Sequence, residues 1–241
     1  MEAWPRARIG IIVPSSNRQA EPDIGKHLPE DVVLHCTRMR MTGPYHQPVT
    51  ALLPRIREAA GFLADAKCDV IVFHCTASSM EEGPEGDQAI RTAITEVTGK
   101  QAITTASAII DALATLDIRR LALLAPYDPS LTDPEAVYLE RAGYEMLRVR
   151  SMALQGSDSY CGTPPEYWLR TASEPESWDP AAEAMLLSCA NIRCFEVIDA
   201  IEERLARPLV TSNQAVLWRA LRLCGAQAPI PGLGALLRLG G

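Results

Sequence analysis

The sequence predicts a parallel α/β fold made of two repeated halves, and two patterns carry that expectation. Short apolar, β-branched runs alternate with longer stretches of helical periodicity along all 241 residues. Strands covered by helices on both faces produce such an alternation. Four segments of the first half also recur in the second at separations of 107 to 114 residues.

The expected strands are residues 9–13, 32–36, 70–73, 102–104, 121–124, 145–149, 185–187 and 209–211. In residues 50–66, Leu52, Ile56, Ala60 and Leu63 recur at helical spacing. Thr50 is the expected cap there, and Pro54 is expected in the first turn, where no N–H is needed. Residues 194–206 carry a second helical stripe of Phe195, Ile198, Ile201 and Leu205, which places Cys194 in a helix. The repeat pairs 8–14 (RIGIIVP) with 120–126 (RLALLAP), and 32–39 with 144–151. It also pairs 69–75 (DVIVFHC) with 183–189 (EAMLLSC), and 101–108 with 208–215. The expected domains are 1–117 together with 225–241, and 118–224.

Composition narrows the function. Hydrophobic residues make up 47% of the chain and charged residues 22%, so a disordered or low-complexity chain is excluded. The net charge is −7, and Lys and Arg never run beyond a pair, so no nucleic-acid partner is expected. No apolar run reaches the length of a membrane span. The N-terminal residues lack the apolar stretch of an export signal. The seven cysteines are therefore expected as reduced thiols in a cytoplasmic protein.

Ligands of open parallel sheets bind beyond the carboxyl ends of the strands. Four such ends carry polar or reactive residues: Pro14-Ser15-Ser16-Asn17, Cys75-Thr76-Ala77-Ser78-Ser79, Pro126-Tyr127 and Cys189-Ala190-Asn191. The repeat sets Cys75 and Cys189 on opposite sides of one cleft. Each is expected where a strand hands over to a helix, whose N-terminal dipole favours thiolate. A thiolate facing a thiol makes a base and an acid. Such a pair moves protons at one carbon, or adds sulfur to an activated double bond and protonates the neighbouring carbon. The hydroxyls, the asparagines and the backbone N–H groups after each cysteine suit a carboxylate.

These segments, with 187–193 (LSCANIR), 210–215 and 229–237, resemble the maleate cis–trans isomerase and arylmalonate decarboxylase branch of the aspartate/glutamate racemase superfamily. The resemblance implies two pseudo-symmetric flavodoxin-like domains, each a parallel sheet with helices on both faces, and an active site in the cleft between them. It implies no cofactor and no metal. By the same resemblance, Cys75 adds to the olefin of a small dicarboxylate and Cys189 handles the proton. Asn17, Tyr127 and Thr76 match substrate-binding positions, and Ser15, Ala77, Ala190 and Asn191 complete the expected site. Arylmalonate decarboxylase has glycine at the position of Cys75, so two thiols favour isomerisation. The alternative enzyme is an amino-acid or hydroxy-acid racemase using the same pair. Decarboxylation and a non-catalytic binding protein rank lower. The isomerases place a further asparagine after the sixth strand, and residues 154–160 offer no assigned equivalent. A homodimer or higher homo-oligomer is expected.

Other features read as structural. His35-Cys36 and His74-Cys75 lack zinc-ligand spacing. His35-Cys36 is expected at the buried end of a strand, and His74 as a packing residue behind the site. Glu81-Glu82 is expected in a solvated turn. Gly232, Gly234, Gly240 and Gly241 are expected in a loop and tail, and no Gly-x-Gly-x-x-Gly opens a helix after a strand.

Overall fold

The computed structural model describes residues 4–41 and 47–239. The first half runs β1 (Ala7–Pro14), α1 (Ala20–Lys26), β2 (Val32–Met39), α2 (Val49–Asp65), β3 (Val70–Phe73), α3 (Thr76–Met80), α4 (Gly83–Thr98), β4 (Gln101–Thr104) and α5 (Thr105–Thr115). The second runs β5 (Arg120–Ala125), α6 (Pro129–Arg141), β6 (Glu145–Ser151), α7 (Gly156–Gly162), α8 (Pro165–Ala172) and β7 (Ala184–Leu187). After a 3₁₀ turn at Phe195–Val197 it continues with α9 (Ile198–Leu205), β8 (Leu209–Thr211), α10 (Ser212–Leu223) and α11 (Gly234–Arg238). All eight expected strands are present.

The strands form two four-stranded parallel sheets, ordered β2-β1-β3-β4 and β6-β5-β7-β8. The two orders match member for member, as the repeat requires. In β1 and β3 successive side chains enter different cores. Ile11, Val70 and Val72 join a core that continues into the second sheet. Ile12, Ile71 and Phe73 join a separate layer under α2 and α4. Burial on both faces is why these strands read as unbroken apolar runs.

The repeat extends to the caps. Thr104 and Thr211 start α5 and α10, each accepting from the backbone N–H three residues on, with Ser107 and Gln214 completing the capping boxes. These two helices pack chiefly on each other, and α10 also reaches α1 and β3 of the first half. The C-terminal α11 packs on α9, β8 and α10. We propose that the chain divides near residue 118, and that α11, expected with residues 1–117, is counted with the second half, on whose α9, β8 and α10 it packs. Gly234 permits this packing. It has φ +73°, and a Cβ there would lie 2.7 Å from Glu202 Oε1.

Several local expectations are corrected. α2 starts one residue earlier, with Pro48 at the cap position. The Glu82 carboxylate, expected in a solvated turn, accepts from Val49 N at 2.8 Å and does the capping work. Pro54 therefore lies inside the helix rather than in its first turn. Cys194 precedes the 3₁₀ turn and is buried outside any helix. His35 and Cys36 are half-buried in the middle of β2. Gly234 opens a helix rather than a tail, and Gly240 and Gly241 lie outside the described residues. Among the described residues, no helix is long and apolar enough to cross a membrane.

Candidate active site

Cys75 comes two residues after β3, in extended backbone, φ −148° and ψ 109°, as the cap residue of α3. Its Sγ lies 3.3 Å from Ser78 Oγ. Cys189 comes two residues after β7 and is held differently. Its φ of +124° is a conformation that costs a non-glycine residue on the order of 1–3 kcal/mol. Three contacts hold it there. Ser188 N donates to Leu124 O at 2.9 Å, Cys189 N to Ser212 Oγ at 3.0 Å, and Asn191 N to Cys189 Sγ at 3.3 Å. A turn follows Cys189, not the expected helix.

Both thiols line one cavity of about 40 Å³, room for about three waters at roughly 10–15 Å³ each. Of the expected site residues, Asn17, Thr76, Ala77, Tyr127, Ala190 and Asn191 line it with them. Ser15 does not; its hydroxyl accepts from Met41 N at 3.1 Å, and the cavity-lining serine is Ser16. The two asparagines tie the halves together reciprocally. Asn17 Nδ2 donates to Ala190 O at 2.8 Å, and Asn191 Oδ1 accepts from Arg18 N at 2.8 Å. Their side chains are thus partly engaged before any ligand is considered. Ser212 joins the two cysteine loops: its hydroxyl oxygen accepts from Thr76 Oγ1 at 2.8 Å and from Cys189 N.

The electrostatics overturn the expected thiolate. Burial pushes the Cys75 thiol up, with Ser78 pulling the other way. Burial pushes Cys189 up to about 12, opposed by the Tyr127 hydroxyl and the Asn191 N–H. A five-residue helix with a buried start does not offset that desolvation. Tyr127 is itself held above the usual phenol range by burial and by the neighbouring Cys189. Its ring packs edge-on against Tyr160 at 5.5 Å.

Residues 154–160, which offer no assigned equivalent of the isomerases' asparagine, run into α7. In the structure α7 covers the cavity, and Ser157 and Tyr160 line it. Arg18 Nη2 and Asn191 Nδ2 both donate to Ser157 O, and Ser157 Oγ donates to Ser16 Oγ at 2.9 Å. His74, expected as packing, is fully buried yet borders the cavity. Its ring nitrogens meet Thr105 Oγ1 and Asn213 Oδ1, each at 2.9 Å. The one available signal for Ser212 and Asn213 was their place in the repeat, opposite Thr105 and Ala106.

Fold and cavity together define a two-lobed parallel α/β protein with a paired-cysteine cleft. The sequence profile of the arylmalonate decarboxylase family (Amdase) matches residues 9–237, and the chain belongs to that family. It is 28% identical to the maleate isomerase of Geobacillus stearothermophilus over 245 aligned residues, 95% of this chain and 96% of that one. It is 25% identical to the arylmalonate decarboxylase of Bordetella bronchiseptica, covering 95% of each chain. The structure of the Nocardia farcinica maleate cis–trans isomerase bound to TRIS superimposes with a TM-score of 0.88 at 26% identity, covering 96% of this chain and 98% of that one. A cysteine-to-serine mutant of that isomerase, with a covalently bound succinylcysteine intermediate, gives a TM-score of 0.87 at 25% identity with the same coverage. The family is the one that the motifs led us to expect.

Proposed function

We propose that this chain is a cis–trans isomerase of a small unsaturated dicarboxylate such as maleate, acting through Cys75 and Cys189. The observation that carries the reading is that these two repeat-related cysteines line the same small cavity. In the reaction Cys75 adds as the thiolate, its own proton lost to solvent beforehand, and its sulfur bonds to one olefinic carbon as the π bond breaks. Cys189 gives its proton to the adjacent carbon. The central bond, now single, rotates. Cys189 then takes the proton back, the carbon–sulfur bond breaks, and the double bond re-forms in the trans geometry. Sulfur and proton are both returned, so no other reactant is consumed. The succinylcysteine of the Nocardia isomerase supports the covalent step.

The cavity size supports a short substrate. The cavity is small, and a four-carbon diacid demands less of it than an aryl-bearing one. Tyr127, Asn17 and the backbone at the start of α3 are the groups we assign to its carboxylates. Cys75→Ala and Cys189→Ala should each lower maleate turnover by about a thousandfold or more, with the far-ultraviolet circular dichroism unchanged. Substantial activity in either variant contradicts the two-thiol step.

A further inference from the structure

Glu135 has no place in the chemistry above, and its surroundings call for an explanation. It lies on the inner face of α6, the helix that starts just after Tyr127 and packs on α3, just after Cys75. It is fully buried, and among the described residues neither carboxyl oxygen has a hydrogen-bond partner. The hydroxyl of Ser188, next to Cys189, faces it, and it too completes no hydrogen bond of ordinary length and angle. A buried carboxylate without donors is among the costliest groups a core can hold. The neutral acid is not.

We propose that Glu135 is a positioning residue of the thiol pair that acts through charge: as the neutral acid it leaves one of the two thiols free to ionise, and as the carboxylate it blocks that ionisation. The inference rests on the two-thiol reading above and deepens it by assigning what governs the charge of the site. Cys75, Cys189 and Tyr127 all sense the Glu135 charge, and in each it opposes ionisation. Burial pushes Glu135 itself up to about 8, with Ser188 opposing and Glu81 adding to the rise.

The other charged groups near α6 are engaged elsewhere. On α4, Glu85 pairs with Arg141 and Asp87 with Arg91. On β6, Arg148 pairs with Asp179 and Arg150 with Glu174. Asp133 and Glu140 of α6 and Glu145 of β6 are exposed to solvent, and after burial itself the groups acting on Glu135 are Ser188 and Glu81. Glu135 and the thiols then titrate as one coupled unit, in which ionisation of one member opposes that of the others.

The test is the pH dependence of iodoacetamide alkylation at Cys75 and Cys189, resolved by peptide mass spectrometry, in the native protein, Glu135→Gln and Glu135→Asp. The amide of Glu135→Gln cannot ionise, so the thiols of that variant should titrate without a growing negative neighbour. The ratio of Glu135→Gln to native labelling should be near one at pH 6.5 and reach about tenfold at pH 9. Glu135→Asp should fall back toward the native profile. A ratio that stays constant with pH, as a merely structural role would give, overturns the proposal. So does slower labelling of Glu135→Gln at pH 9. If Glu135→Gln does not fold, the native protein still decides the matter. Its infrared spectrum at pH 6.5 should show a protonated-carboxyl band that fades around pH 8, and its absence overturns the proposal. Labelling needs no substrate, so a failure on maleate leaves this result separately readable.

Discussion

His74 and Asp23 stand in one hydrogen-bond chain, and burial acts on them with opposite sign. His74 Nε2 meets Asn213 Oδ1, and Asn213 Nδ2 donates to Asp23 Oδ2 at 2.8 Å. Burial pushes His74 down to about 4, with the Asn213 contact opposing. Burial pushes Asp23 up to about 6, again with Asn213 opposing. The unfolded chain protonates its histidine first, so the His74 contribution to stability is lost as pH falls from about 6.5 to 4. The folded protein holds the Asp23 proton to higher pH, so that contribution grows as pH falls from about 6 to 3.8. Each amounts to a few kcal/mol at about 1.4 kcal/mol per pH unit, and in the native protein they largely offset. Asp23→Asn should therefore lose urea resistance relative to the native protein between pH 6.5 and 4, while His74→Gln gains it. Parallel pH profiles for the three proteins would contradict the opposed pair.

Among the elements, the start of α10 does the most to shape the site. Ser212 accepts one bond from each cysteine loop, and one of these helps to hold Cys189 at its positive φ. Ser212→Ala leaves two buried donors unsatisfied, so it should cost about 1–3 kcal/mol of folding stability in urea titrations. It should also lower kcat more than it raises KM. The inner strands were legible because burial on both faces writes an unbroken apolar run into the sequence, whereas the edge strands β2 and β6 are half-exposed and mix in polar residues. The shared order of the two sheets was legible as a repeat. α7 was not, since residues 156–162 (GSDSYCG) have no apolar periodicity, and only Tyr160 of the helix is buried. Thr50 misled because a distant side chain, Glu82, caps α2 instead. The strained backbone of Cys189 leaves no mark in composition, and the helix-dipole expectation for the thiols failed because burial outweighed it.

At the scale of the molecule, the two halves share one apolar core and exchange hydrogen bonds through Asn17 and Asn191, so the cavity is a product of their docking. The positions of both cysteines could be read from the repeat; the cover over them and the charge state between them could not. The function proposed above is isomerisation of a short unsaturated diacid by this docked thiol pair. Its most direct test is a proton NMR time course with maleate in deuterium oxide, at neutral pH under reducing conditions, using the native protein with Cys75→Ala and Cys189→Ala beside it. Fumarate is expected from the native protein and none from either variant. Maleate left unchanged by the native protein, with solvent deuterium instead entering Cα of aspartate or glutamate supplied in its place, would contradict it.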